Sequence, residues 1–282
     1  MLKLDESFSG EGNALVDLPE TPDRPALAAA LHRLRLSVAR ETSDSYLEKF
    51  ARMGGIVEEW LEGGEVRSPS VQLRINPRSQ VFVTSTHEQI LCGPTGQTYS
   101  GCRFPALEDY RARLSQAGRR IGEVLAGEGV VSRFSVDFLA RRSGPGSAWE
   151  IRALEINLRM GGTTHPMFAL RFLTGGRLDP RTGLFRSAGG TAKFYRATDD
   201  LYSPAYRGLL PEDLIEILTL SRLLYDPTSE TGVLFHMIGA LSEYGKFGIV
   251  AIGDDPEQAE RLFLRTVEVL DAETRSDGWS GA

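Results

Sequence analysis

Apolar and polar positions alternate along Leu154-Glu155-Ile156-Asn157-Leu158-Arg159, a period of two that predicts a strand. Side chains on a strand leave by opposite faces in turn, so Glu155, Asn157 and Arg159 share one face. The same pattern predicts strands at 1–4, 14–18, 55–61, 70–75, 80–86, 133–140, 149–158, 231–238 and 247–252. A period of 3.6 predicts helices over 26–38, 45–53, 106–125, 211–224 and 256–270. In the third of these, Leu107, Tyr110, Leu114, Ile121 and Leu125 form the apolar stripe. Pro25 suits a first helical turn, and Ser45 with Glu48 predicts a capping box before the stop at Gly54-Gly55. Asn76-Pro77-Arg78-Ser79 reads as a hairpin turn, and 175–190, rich in Gly, Pro and Arg, as a loop. Antiparallel hairpins carrying helices make the fold class α+β.

Composition narrows the function classes. The chain has 282 residues, 41% hydrophobic and 25% charged, with a formal net charge of −6. Such a charge argues against broad binding to nucleic acid or to an anionic membrane. No apolar run is long enough to span a bilayer, and the first residues carry no signal-peptide pattern. Two cysteines, Cys92 and Cys102, exclude a disulfide scaffold and fit a reduced, cytoplasmic setting. The four histidines show no metal-ligand spacing, and no G-x-S-x-G elbow occurs.

Three segments carry candidate chemistry. On the predicted hairpin 133–158, a register pairing odd with odd would place Asp137 and Glu155 on one face with Asn157. Facing carboxylates need compensation, and a divalent cation with hard oxygen ligands supplies it. The alternative is that both point to solvent or pair with Arg133 and Arg152. In the N-terminal hairpin, Lys3 precedes the tip Ser7-Phe8-Ser9-Gly10-Glu11-Gly12-Asn13, whose backbone N–H groups could cradle phosphate; a plain flexible tip is the alternative. Ile56-Val57-Glu58-Glu59-Trp60-Leu61 sets acceptors beside apolar side chains, as an adenine requires, with Glu65 placed for a ribose. An ordinary edge strand and turn would read the same way.

These segments follow one another in the order found in ATP-grasp ligases, and the chain resembles that superfamily. Val136-Asp137-Phe138 with Glu155-Ile156-Asn157 resembles its magnesium-binding strands, and Gly55 to Leu61 its adenine hinge. More narrowly, Lys3 to Asn13, Ser85 to Pro105, Glu155 to Pro166 and Thr231 to Gly253 resemble the peptide ligases of the pheganomycin-biosynthesis type and their carboxylate–amine ligase relatives. The resemblance implies an ATP-grasp fold with a lid subdomain and adenine hinge over 1–67, a large subdomain over 68–200, and an α/β extension over 201–282 packed on it. It implies ATP held by Lys3, by the lid loop Ser9, Gly10, Glu11 and Gly12, and by Glu58, Glu59, Trp60, Leu61 and Glu65. Mg²⁺, or Mn²⁺ in its place, would sit on Asp137, Glu155 and Asn157, and Arg159 would face the transferring phosphoryl group.

The implied reaction is amide formation through an acyl phosphate, giving ADP and phosphate, from a small-molecule or peptide carboxylate and an amine. ATP would lie between the lid hairpin and the large sheet. Arg103 is the candidate for binding the acyl substrate or phosphate, with a surface salt bridge as its alternative. Gly161 to Thr164 could offer backbone donors to the same group, whereas His165 reads as structural. Two departures from the family pattern stand out. Ser135 occupies a position where the D-alanine ligase branch often carries arginine, here displaced to Arg133. The family's further N-terminal region has no counterpart before Met1, so a fragment, or an N-terminal partner in trans, is expected; a homodimer is the other partner expectation. Two other readings stay open, an ATP-grasp kinase acting on a small molecule and a nucleotide-binding partner without its own activity.

Overall fold

The computed structural model describes residues 1–7, 10–38, 40–61 and 63–275. They divide into two compact units, one of residues 1–64 with 90–100, the other of 65–89 with 101–282.

Unit 1 holds β1 (Leu2–Leu4), β2 (Asn13–Leu15), α1 (Arg24–Leu31), β3 (Arg35–Leu36), α2 (Ser43–Met53) and β4 (Gly55–Val57). Its four-stranded sheet runs β3-β2-β1-β4, which leaves β4 at an edge. Leu2, Ala14, Leu34 and Tyr46 are buried together as its core. Asp23 caps α1 by accepting from Ala26 N at 2.8 Å. This helix ends at Leu31 instead of continuing to 38. Beyond it Leu34 and Leu36 alternate and pack into the core as a strand would, so burial overrides the helical spacing. Thr42, not Ser45, caps α2, its hydroxyl accepting from Ser45 N.

Unit 2 is built on an 11-stranded sheet whose main path runs β10-β9-β6-β7-β8-β13-β12-β11. The strands are β5 (Glu65–Arg67), β6 (Pro69–Ile75), β7 (Val81–Cys92), β8 (Thr98–Phe104), β9 (Arg133–Arg142), β10 (Glu150–Asn157), β11 (Arg177–Leu178), β12 (Phe185–Arg186), β13 (Ala192–Tyr202), β14 (Gly232–His236) and β15 (Lys246–Gly253). Helices α3 (Glu108–Gly127), α4 (Thr164–Thr174), α5 (Pro211–Leu220), α6 (Leu241–Tyr244) and α7 (Pro256–Arg275) complete it.

Alternation along these strands sorts the sheet into two chemically distinct faces. Val71, Leu73 and Ile75 of β6 and Phe134, Val136 and Phe138 of β9 join Tyr110 and Leu114 of α3 in one core. The intervening residues, Ser70 and Gln72 of β6 and Ser135 and Asp137 of β9, pair directly with one another on the opposite face. A second core gathers α5, β14, β15 and α7 around Leu214, Val233, Phe247, Ile249 and Leu270.

Several elements escape the hydrophobic pattern, among them the two-residue strands β11 and β12, which pair within the segment 175–190 expected to be a loop. In β8, Gly101 at φ 140° breaks the apolar run; a Cβ there would lie 2.3 Å from Ala197 O of the neighbouring strand, so only glycine admits that approach. In β13, Lys193, Arg196, Asp199 and Asp200 disguise a strand hydrogen-bonded between β8 and β15. Helix α4 starts with Thr164-His165-Pro166, and its apolar spacing is short. No helix among the described residues is long and apolar enough to cross a membrane.

Candidate functional site

The polar face of unit 2 collects oxygen ligands at the β9–β10 pair. In the first half of β10 the register couples Ala153 to Phe138; after a bulge at Leu154 it couples Glu155 to Asp137 and Asn157 to Ser135. Continuing the first register would set Leu154, not Glu155, opposite Asp137. The single extra residue therefore aims Glu155 and Asn157 at the face that carries Asp137, a use of bulges common beside functional sites.

Asp137 is held firmly where it stands. Gln89 Nε2 donates to its Oδ1 at 2.8 Å and Asn157 Nδ2 to its Oδ2 at 3.1 Å. Burial, and then the facing Glu155 carboxylate, push it up to about 6, while Gln89, the Arg159 charge and Asn157 act in the opposite sense. Glu155 is exposed, and Arg159 follows on the same segment with its backbone N–H donating to Asn157 O at 2.7 Å. A half-buried carboxylate facing a second carboxylate, with an amide beside them, suits a small hard cation. Among the described residues no group of three or more His, Cys, Asp or Glu gathers, so the remaining ligands would be water or substrate oxygens.

Beside this set, α4 begins over the same face. Gly161 N donates to Thr164 Oγ1 at 3.1 Å, and Thr164 Oγ1 donates to Gln72 Oε1 at 3.4 Å. The Arg133 guanidinium lies 4.8 Å from the Phe168 ring centroid, which joins β9 to α4. Further along the sheet, His87 faces Ser70 across the strands and bonds through Nε2 to Tyr195 Oη at 2.5 Å. Gln89 escapes the sequence reading because the β7 pattern is taken to stop at Thr86. The polar run Ser85, His87, Gln89, at alternate positions, is the signal that would have extended it.

The other sequence-derived residues fall as follows. In unit 1, Lys3 on β1 and Glu58 just past β4 meet in an ion pair at 2.6 Å. Glu59 and Trp60 are exposed, with Leu61 half-buried, directly after the edge strand β4, whose Ile56 and Val57 are also exposed. Leu4 N and Tyr46 Oη both donate to Gly12 O, at 3.0 and 2.9 Å, and Asn13 N donates to Gly10 O, which pins the tip around Glu11. Ser9 lies outside the described residues. In unit 2, Glu65 accepts from Arg67 Nη2 at 2.8 Å and from Arg142 Nε at 2.7 Å.

Arg103 is not brought to the carboxylates. It pairs with Arg196 across β8 and β13, and its Nε donates to Glu260 of α7 at 2.9 Å. Its neighbours Phe104 and Tyr195 stack on the polar face, so alternation sends Arg103 to the helix-covered side.

Comparison with known proteins bears on the fold and the family. The family model "IQCH-like, ATP-grasp" matches residues 23–181, and the model "PGM1 C-terminal domain" matches 213–266. The L-propargylglycine–L-glutamate ligase of Streptantibioticus cattleyicolor is 34% identical over 264 residues, covering 92% of this chain and 51% of that protein. The IQ motif-containing protein H of Danio rerio is 20% identical over 263 residues, covering 92% of this chain and 25% of that protein. The chain thus spans about half the length of the first relative and a quarter of the second. Among solved structures, N5-carboxyaminoimidazole synthetase from Staphylococcus aureus, complexed with ADP, superposes with a TM-score of 0.53 at 12% identity, covering 94% of this chain and 60% of that one. The N5-carboxyaminoimidazole ribonucleotide synthetase from Thermus thermophilus gives 0.52 at 15% identity, covering 90% and 66%. These likenesses support the fold. With the fold α+β and the family model matching more than half of its residues, the chain belongs to the ATP-grasp family.

Proposed function

We propose that this chain works as an ATP-dependent carboxylate–amine ligase, or as the nucleotide-binding part of one. The observation that carries the reading is the Asp137–Glu155 pair, completed by Asn157 and Arg159, in a chain 34% identical to a ligase named for two amino acids. In this reading Asp137, Glu155 and Asn157 hold Mg²⁺ or Mn²⁺. The metal, when bound, neutralises phosphate charge and orients the phosphates. Arg159 offers a fork of donors to the phosphoryl oxygens as they spread their charge. The substrate carboxylate takes the phosphoryl group to give an acyl phosphate and ADP, and an amine then displaces phosphate to leave an amide.

Lys3, with Glu58 as its counter-ion, is assigned to phosphate binding, Gly10 to Gly12 to the lid, and Glu58 to Leu61 to adenine. Glu65 is assigned to the ribose, a role for which one of its two arginine bonds must be given up. Arg103 is left out of the acyl site, because its ion pair and its side of the sheet leave it no route to the carboxylates. The chemistry is chiefly positioning and charge neutralisation, and Asp137 is already held by Gln89 and Asn157.

The test is ADP release by the purified chain with Mg·ATP, L-glutamate and L-propargylglycine, and then with other amino acid pairs, products being identified by mass spectrometry. The expected result is amide and free phosphate only when both substrates are present. A phosphorylated small molecule accumulating without an amine would replace the ligase with a kinase. Tight Mg·ATP binding with no product from any pair would replace it with a binding subunit.

A further inference from the structure

Two histidines far apart in the sequence meet beside the start of α4. The rings of His165 and His236 lie 4.2 Å apart, centroid to centroid, at an interplanar angle of 56°. His165 is exposed, in the first turn of α4, and His236 is half-buried at the end of β14. His236 Nε2 donates to Thr198 O at 3.2 Å. A carbonyl oxygen only accepts, so Nε2 carries the ring proton and Nδ1 is the bare nitrogen of the neutral ring. Nothing among the described residues hydrogen-bonds to that nitrogen.

The backbone is shaped to seat the ring. His236 pairs with Gly248 of β15, and a Cβ at Gly248 would lie 2.1 Å from the ring's Cε1. The imidazole therefore rests against bare glycine backbone in a place that any side chain would fill. Burial, and then the neighbouring His165 ring, lower His236 to about 4, the Thr198 carbonyl opposing them. Both rings are neutral at neutral pH, and neither repels a cation.

The pair is also well placed along the chain. Six positions separate Arg159 from His165, and the segment between them is folded by Thr164 N donating to Gly161 O at 2.9 Å and Gly161 N donating to Thr164 Oγ1. Thr164 in turn reaches Gln72 on the polar face, which faces Ser135, the cross-strand partner of Asn157. His165 thus opens the helix that Thr164 ties to the polar face, and His236 lies against its ring.

We propose that this imidazole pair receives the amine substrate, with His236 Nδ1 accepting the proton that the nitrogen loses as the amide forms and His165 orienting the nitrogen. The inference rests on the ligase reading. In the step, the lone pair of the free amine, its ammonium form having first lost a proton to water, forms the carbon–nitrogen bond at the acyl carbon. The carbon–oxygen bond to phosphate breaks, its electron pair leaving on phosphate. The nitrogen proton passes to Nδ1 and is returned to water after release. Nitrogen becomes strongly acidic as this bond forms, so a weakly basic imidazole suffices.

Hydroxylamine separates this role from a structural one. It is uncharged at neutral pH, small enough to enter without a fitted site, and captures acyl phosphates as hydroxamates without a protein base. The wild-type chain, His236→Gln and His165→Gln would be assayed with Mg·ATP and a panel of amino acids including L-glutamate and L-propargylglycine, with either hydroxylamine or a second amino acid as nucleophile. Glutamine can still donate to the Thr198 carbonyl but takes up no proton. The expected result for His236→Gln is hydroxamate at the wild-type rate and amide reduced on the order of 10²-fold or more. His165→Gln, altered at an exposed position, is expected to show the same split more weakly and stands in if His236→Gln unfolds. Equal loss of both products, or loss of neither, overturns the assignment. A wild-type chain that yields neither hydroxamate nor amide across the panel overturns the ligase reading, and this assignment with it.

Discussion

Asp137 stands at odds with its surroundings until something positive arrives. Its carboxyl is raised to about 6 from 3.8, so the folded state holds the proton more tightly than the unfolded chain. A group raised in this way contributes stability below pH 4 that is lost as pH rises through 6. Asp137→Asn removes that loss. Without metal at pH 8 the variant should be more stable than wild type by about 1–2 kcal/mol, from a shift of roughly two pH units partly offset by weaker bonds to Gln89 and Asn157. Thermal melts with EDTA measure this, and an unchanged or lower midpoint would contradict it. In the same melts Mg²⁺ should stabilise the wild type only, and Glu155→Gln should abolish ATP turnover while leaving the fold intact. His87 makes a second residue-scale case. It is fully buried and lowered by burial to about 3, so the unfolded chain binds its proton first as pH falls. Stability should therefore drop between pH 6.5 and 3, by up to about 1.4 kcal/mol per unit from this residue. His87→Phe should flatten the acid limb of a urea-midpoint profile over that range.

At the scale of the element, the question is how α3 comes close enough to the sheet to divide it into a dry face and a wet one. The helix presents Gly118 and Gly122 to β6 and β7. A Cβ on Gly122 would lie 2.6 Å from Val81 Cγ1, and one on Gly118 would lie 3.0 Å from Val71 Cγ1. Gly127, at the end of the same helix, has open space around it. Gly122→Ala gains the helix propensity of alanine yet forces Val81 aside, and a net loss of about 1–2 kcal/mol is expected. Gly127→Ala meets no obstacle and should gain up to about 1 kcal/mol. Urea denaturation of the two variants checks the contrast, and equal signs would refute the packing account. The apolar stripe that makes α3 legible in the sequence says nothing of these glycines, since a gap in the stripe and a point of closest approach look the same. The bulge at Leu154 is hidden for a related reason. Alternation identifies Glu155, Asn157 and Arg159 as one face, but which face depends on how β10 registers with β9, and one extra residue decides it. Long, regular elements were readable; β8, β13 and α4, broken by a glycine, by charges and by a proline, were not.

At the scale of the whole chain, the family is legible in the sequence alone, because the order of weak signals along it is more specific than any one of them. Arg103 shows what that kind of reading misses. Its neighbours in sequence belong to a recognisable segment, yet the pleat of β8 turns it toward Glu260, a partner 157 positions away. The sequence also hides the composition of the units, since Ile90–Ser100 joins residues 1–64 although it is the tip of a hairpin rooted in the other unit. The two units differ in how much they bury. Among the described residues, the core cluster of unit 1 gathers four buried apolar residues, an alanine and a tyrosine among them, whereas two clusters of unit 2 gather twelve each. Opening free energy follows buried apolar surface, so unit 1 should open locally at lower cost than unit 2. Native-state hydrogen exchange followed by mass spectrometry tests this on the intact chain. Peptides from β1, β2 and α2 should lose protection first. Those from β9 and β15, with Val136, Phe138, Ile249 and Ala251 fully or almost fully buried, should exchange only near the free energy of global unfolding. Mg·ATP, if it engages Lys3 and the Gly10–Gly12 tip as proposed, should slow exchange in β1 and α2 far more than in β15. Uniform protection across both units, unchanged by nucleotide, would refute the separate opening of unit 1 and remove the basis for treating its hairpin as a lid.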